Sequence, residues 1–151
     1  MPDAGPTIHA SAVLVGARAL LIRGPAGSGK SRLALALIEG ARDRPGRFAR
    51  LVADDRVLAE ARHGRLIVRA PQPLRGLIEV RGLGIRRLPW EPCAVVSLVV
   101  DLAADDSARL PQPASVETAI SGIGIARLPV APGEDPLPAV NAFLHTDRGD
   151  E

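Results

Sequence analysis

The sequence predicts a single strand-rich α/β domain, and three observations carry that prediction. Apolar runs rich in Val, Ile and Leu recur along the chain, the longest being "CAVVSLVVDLA". One such run, "ALLI" at 19–22, passes straight into "RGPAGSGKS" and then into a stretch whose leucines repeat at helical spacing, a strand–loop–helix unit. Turn-forming residues, 15 Gly and 14 Pro, punctuate the rest into short segments. A chain of 151 residues is expected to form one domain over 1–151 and is long enough to bury a core. With two Phe, one Trp and no Tyr, that core must be aliphatic.

Taken in order, "TIHASAVLV" and "RALLIR" read as a strand pair around Gly16 that feeds the glycine-rich loop. Leu33, Leu35, Leu37 and Ile38 make the next segment a largely buried helix ending at or shortly after Gly40. "DRPGR" breaks the chain before a short strand, "RLVA", which runs into Asp54 and Asp55. "RVLAEA" and "RLIVRA", separated by His63 and Gly64, read as a hairpin. "PQPLRG" is a connector, and "LIEVRGLGIRRL" reads as an apolar strand interrupted by glycines. The run from Cys93 is expected to be a buried central strand with Cys93 packed inside it. "AADDSARLPQP" and "VAPGEDPLPAV" are loop-like, and "AVNAFLH" reads as a short final helix.

The loop spells G-x-x-x-x-G-K-S with Gly24, Pro25, Ala26, Gly27, Ser28, Gly29, Lys30 and Ser31. Such a loop turns backbone N–H groups inward at a helix N-terminus as a nest for phosphate, with the Lys ammonium on the outer phosphates and the Ser hydroxyl on Mg²⁺. Lys30 is the only lysine in a chain that otherwise uses arginine, which points to a need for its compact ammonium. These features predict nucleoside triphosphate binding.

Composition excludes other classes. The net charge is +2 with scattered arginines, and three aromatic residues cannot build a base-stacking platform, so nucleic acid is not an expected partner. No run reaches the roughly 18 apolar residues of a membrane helix. "MPDAGPTIHA" lacks the pattern of a signal peptide, and a single cysteine, Cys93, suits a reducing compartment; the expectation is a cytoplasmic protein with no membrane partner. Arg42, Arg44, Arg47 and Arg50 read as a solvated stretch after the first helix, or as a patch for an acidic partner.

Phosphoryl transfer needs carboxylates beside the loop, to hold Mg²⁺ or to orient and deprotonate an attacking hydroxyl. Two strand ends offer them: "LVADD" supplies Asp54 and Asp55, and "VVSLVVD" supplies Asp101. Residue pattern alone leaves both open. Glu79 adds weight to the site, because a carboxylate inside the apolar segment "LIEVRG" calls for a cation or an arginine partner.

In order and spacing these motifs resemble the kinase domain of HPr kinase/phosphorylase, a P-loop fold of the phosphoenolpyruvate carboxykinase-like type, in a short form without the N-terminal domain. The likeness rests on a histidine ahead of the loop in "HASAVLVGARALLIRG", on "LVADDRV" after the first helix, and on "IEVRGLGI", which is close to the family's signature segment. It covers about 7–133 and leaves 134–151 as a divergent tail.

The resemblance implies ATP- and Mg²⁺-dependent phosphorylation of a serine on HPr, the small phosphocarrier of the sugar phosphotransferase system, and in many members the reverse phosphorolysis. By similarity Asp54 is the acid/base, Asp55 supports the site, Ser31 and Glu79 hold Mg²⁺, Arg81 stabilises the transferring charge and His9 lies near the phosphates. Asp101 falls outside that pattern. Full-length relatives form hexamers, so homo-oligomerisation is a further expectation.

One departure stands out: where the family commonly reads "PGRN", this chain has Pro132, Gly133, Glu134 and Asp135. Two acids near a polyphosphate repel it, so the loop is expected to point away or to have lost the role. A small-molecule P-loop kinase, or a nucleotide-binding regulatory module with little transfer activity, are the competing readings; the first should carry an Arg-rich lid, and no compact lid segment is evident.

Overall fold

The computed structural model describes residues 6–146; residues 1–5 and 147–151, which include the start of "MPDAGPTIHA" and the end of the divergent tail, lie outside the described residues. Within them the strand pair β1 (Ala10–Val15) and β2 (Arg18–Arg23) turns at Gly16, whose φ of 61° is left-handed. Helix α1 (Lys30–Arg42) follows the glycine-rich loop, then β3 (Ala49–Ala53) and the hairpin of β4 (Leu58–Arg62) and β5 (Arg65–Arg69). Next come β6 (Leu77–Val80), β7 (Gly84–Arg87), β8 (Ala94–Asp101), β9 (Glu117–Ile120), β10 (Ile123–Pro129) and α2 (Leu137–His145).

The main sheet runs β3-β1-β2-β8-β10-β9, with the β4–β5 hairpin attached through β5 to the start of β8. Strands β2, β8 and β10 are parallel to one another at its centre. Alternation along β2 divides the core in two. Leu20 and Ile22 join Leu33, Leu37 and Val140 on the helical side, whereas Ala19 and Leu21 join Val57, Leu66 and Val68 on the side covered by β4–β5. The helix is therefore held by its Leu33, Ala34, Leu37 and Ile38 stripe, and the phosphate loop is fixed between a buried strand and a buried helix.

Two glycine-containing segments fold as hairpins, the first of them where the sequence pattern suggests a single interrupted strand. In "LIEVRGLGIRRL" the N–H of Leu83 donates to Val80 O at 2.9 Å, closing a turn between β6 and β7, which pair as a separate two-stranded sheet. The entry to this hairpin depends on Gly76: its φ is +73°, and a Cβ there would lie 2.7 Å from Trp90 Cδ1. "ISGIGIARLPV" likewise turns between β9 and β10. The expectation that Cys93 packs inside a buried strand is also corrected, because it is exposed and precedes Ala94, the first residue of β8 to pair with β5.

Asp101, the strand-end acid of β8, is bound up in the sheet. Its carboxylate accepts from Arg23 Nε and Nη2 at 2.7 and 2.8 Å and from Arg127 Nε, and Arg127 continues to Asp106. Burial alone would raise the Asp101 pKa, but the hydrogen bonds and charges of Arg23 and Arg127 outweigh it and hold the carboxyl below its ordinary value.

A depressed folded-state pKa contributes stability above the unfolded value and loses it as pH falls through the folded one. Asp101→Asn is therefore expected to lower stability by about 2 kcal/mol at neutral pH, the worth of charge-assisted hydrogen bonds. The gap to wild type should narrow below about pH 4. Urea unfolding at pH 7 and pH 3.5 checks this; equal stabilities at pH 7 contradict it.

Candidate active site around the phosphate loop

The loop from Gly24 to Ser31 leaves β2 at the edge where β2, β8 and β10 end, and at Gly24 its surroundings exclude a side chain. A Cβ on Gly24 would lie 2.5 Å from Ser28 Oγ and 3.1 Å from Leu102 Cβ. Gly29, at φ 101°, turns the chain into α1, which has neither a side-chain cap nor an acid in its first turn. Its N-terminal amides and dipole are thereby left for an anion. Lys30 is 7% exposed and lies back along the loop, its Nζ donating to the carbonyls of Gly24 at 2.8 Å and Pro25 at 3.1 Å.

Asp54 is the junction of the site. It is buried at the end of β3, 6% exposed, and its carboxylate accepts from three separate elements. Oδ1 takes the hydroxyls of Ser11 in β1 and Ser31 in α1, both at 2.6 Å, and Oδ2 takes the Glu79 N–H of β6 at 3.0 Å. Of about four lone-pair sites on a carboxylate, three are filled and one remains. Ser11 is the residue that sequence reasoning missed. Its signal was present: one hydroxyl within the buried run "ASAVLV" has to find a partner.

Asp55 points elsewhere. Its φ of 70° swings the chain, and its carboxylate sits in the solvent against His9 Nε2 at 2.8 Å, with Arg56 Nε 3.9 Å away. The adjacent acids thus divide at the left-handed Asp55, one buried beside the phosphate loop and one exposed beside the histidine.

Glu79 and Arg81 belong to the β6–β7 hairpin. The reasoning that Glu79 needs a partner because it is buried does not hold: its residue is exposed, while Ile78 and the partly buried Val80 on either side of it turn to the core. What ties Glu79 to the site is its backbone N–H on Asp54. Arg81 lies exposed in the hairpin turn and has no ion pair or hydrogen bond among the described residues.

The segment after β10 overturns one of the two alternatives expected for it. Rather than pointing away, Val130, Pro132, Gly133, Glu134 and Asp135 face Pro25, Gly27, Ser28 and Arg32 across a cleft of about 840 Å³ beside the phosphate loop. Backbone bonds hold the segment there, from Val130 N to Asp101 O and from Ala104 N to Val130 O, both within 2.9 Å. Asp135 Oδ1 accepts from Leu137 N at 3.0 Å, which fixes the start of α2.

The donor set suits Mg²⁺. Ser31, Asp54 and Glu79 offer hard oxygen atoms, and Ser31 and Asp54 already touch. No preformed cluster of three acidic, His or Cys side chains occurs among the described residues.

Strand, glycine-rich loop, buried helix and a carboxylate at the next strand end make up a strand-rich α/β domain. Residues 4–89 match the family model described as HPr Serine kinase C-terminal domain, and the chain belongs to that family. It is 43% identical over 82 residues to the HPr kinase/phosphorylase of Clostridium tetani, a stretch covering 54% of this chain and 25% of that protein. With the corresponding protein of Lactobacillus acidophilus it shares 39% over 80 residues, 52% of this chain and 23% of the relative. The match spans about a quarter of the length of these curated relatives. A solved structure titled Hpr(Ser) kinase/phosphatase from Coxiella burnetii superposes with a TM-score of 0.72 at 27% identity, covering 93% of each chain. The fold is thus the strand-rich α/β domain of that enzyme family, and no helix among the described residues is long and apolar enough to cross a membrane.

Lys30→Ala removes the ammonium but leaves the backbone nest. Its affinity for ATP should fall about 10- to 100-fold, the range of a charge-assisted contact. Calorimetric titration measures this, and an unchanged affinity would remove Lys30 from the phosphates.

Proposed function

We propose that this chain is an ATP- and Mg²⁺-dependent serine kinase whose acceptor is the phosphocarrier HPr. The observation that carries this reading is the position of Asp54: a buried carboxylate hydrogen-bonded to the Ser of the phosphate loop, with one acceptor site still open. Membership of the family and the curated relatives' names support the choice of acceptor.

In this reading the loop N–H groups and Lys30 hold the triphosphate, while Ser31 and Glu79 hold Mg²⁺. When bound, the ion neutralises charge on the phosphates. The acceptor serine donates its hydroxyl proton to the free lone pair of Asp54 as its oxygen bonds to the γ-phosphorus. The bond from that phosphorus to the β,γ-bridging oxygen breaks, and ADP leaves with the electron pair. Arg81 stabilises charge on the transferring group. Asp55 and His9 brace one another at the rim, and the bend at Asp55 sets the direction in which Asp54 enters the site. The whole of 1–151 acts as one catalytic domain in the cytoplasm, and homo-oligomers are compatible with it.

The kinase direction is the one this chain favours. Phosphorolysis requires inorganic phosphate to enter beside the loop, where the acidic residues Glu134 and Asp135 line the cleft in place of the family's Arg-Asn. Like charge disfavours that entry.

Incubation with labelled ATP and HPr, with and without the target serine, tests the acceptor; label on a small molecule alone contradicts it. The roles of the acids separate in single-turnover measurements at saturating ATP and Mg²⁺. Asp54→Asn is expected to slow transfer by about 10²- to 10⁴-fold with ATP affinity retained. Asp55→Asn should lose less, and Asp101→Asn should transfer at near wild-type rate once corrected for folded fraction. A dead Asp101→Asn beside an active Asp54→Asn would reassign the base.

A further inference from the structure

The stretch that follows the first helix carries four arginines, and the structure divides them. Arg42 and Arg50 lie against Glu39 and Glu91 at 3.4 and 3.5 Å. Arg44 and Arg47 have no carboxylate partner among the described residues, and neither has Arg18 at the start of β2. These three line one cleft of about 500 Å³, bounded by the β1–β2 turn, the last turn of α1, the α1–β3 connection and α2. Arg47 Nη1 donates to His145 Nε2 at 2.7 Å. A guanidinium cannot accept, so that imidazole nitrogen carries no proton and the Arg47 charge stays uncompensated. No acid among the described residues lines this cleft, in contrast to Glu134 and Asp135 beside the phosphate loop. The carbonyl ends of α1 and α2 reach it, each worth roughly half a negative charge, and three guanidinium groups outweigh them.

The rest of the lining is mainly apolar. Phe48, one of three aromatic residues in the chain, is 41% exposed and faces the cleft with Leu37 and Leu144. The walls are held in place, since Gly16 N donates to Phe48 O at 2.8 Å and Leu37 belongs to the core. A pre-formed cleft with an apolar lining and a few convergent charges is the general form of a small-molecule site. We propose that this cleft binds a dianionic organic molecule, a phosphate ester or a dicarboxylate with an apolar body. Arg18, Arg44 and Arg47 take the charged end, for which the planar guanidinium fork is suited, and Phe48 and Leu144 take the body. Arg47 thereby exchanges a neutral acceptor for an anionic one, which makes the stronger hydrogen bond. The site is separate from the phosphate loop: α1 begins at that loop and ends here 13 residues on, and Ala36 and Leu137 stand between the two clefts. It does not depend on the kinase reading.

The test titrates the isotope-labelled chain with phenyl phosphate, phthalate, inorganic phosphate and benzyl alcohol in turn, following backbone amides by NMR. Gly16, Gly40 and Gly46 report on this cleft, and Gly27 and Gly29 report on the phosphate loop in the same spectra. Phenyl phosphate or phthalate should shift the first three amides with a Kd of about 1 mM or below, and the tighter of the two tells phosphate from carboxylate. Inorganic phosphate, which buries no apolar surface, should bind this cleft at least about fivefold more weakly, and benzyl alcohol should leave it unshifted. Arg47→Ala and Arg44→Gln, both at exposed side chains, should each weaken the tighter probe by about tenfold while the amide spectrum stays that of the folded chain. Shifts confined to Gly27 and Gly29 overturn the site, as does wild-type affinity in both variants. Benzyl alcohol binding as tightly as the dianions reduces the cleft to apolar packing, and equal affinity for inorganic phosphate removes the apolar body; either result overturns the proposal.

Discussion

A single buried carboxylate joins the three parts of this site. Asp54 at the end of β3 receives a hydroxyl from β1, a hydroxyl from the first turn of α1 and an amide N–H from β6. An ionised carboxylate out of water is costly unless such donors replace its hydration. The phosphate-loop helix and the off-sheet hairpin are therefore held to the sheet edge by the same group that is proposed as the base.

The comparison with Asp101 shows what environment does to two acids at strand ends of one sheet. Asp101 is bracketed by Arg23 and Arg127, which stabilise its charge and disfavour any proton transfer to it. It locks β2, β8 and β10 together at the edge from which the phosphate loop departs. Asp54 has only neutral donors and keeps an open acceptor site. The common pattern of an apolar strand ending in Asp thus serves structure in β8, and the shorter β3 carries the acid that faces the loop.

Much of this was legible in the sequence because it is local. The G-x-x-x-x-G-K-S loop, the leucine stripe of α1 and the turns at Gly16 and Gly64 are written in neighbouring residues, and the structure has them at the expected places. What stayed hidden depends on partners far apart in the chain. The hairpin in "LIEVRGLGIRRL" is decided by Gly76 against Trp90 and by a turn that needs no proline or asparagine signal. Ser11 gains its meaning from Asp54, 43 positions away. The placement of Glu134 and Asp135 beside the phosphate loop follows from sheet order, with β10 next to β8, which composition does not encode.

The central claim is that Asp54 clamps the hairpin to the phosphate-loop helix, and amide hydrogen exchange reads that clamp directly at the Glu79 N–H. In Asp54→Ala the protection of this amide is expected to fall by about tenfold or more, the equivalent of a hydrogen bond to a charged acceptor, while the amides of β8 keep theirs. Unchanged protection at Glu79 in a folded Asp54→Ala protein would show that the hairpin is held by other contacts, and would contradict the account.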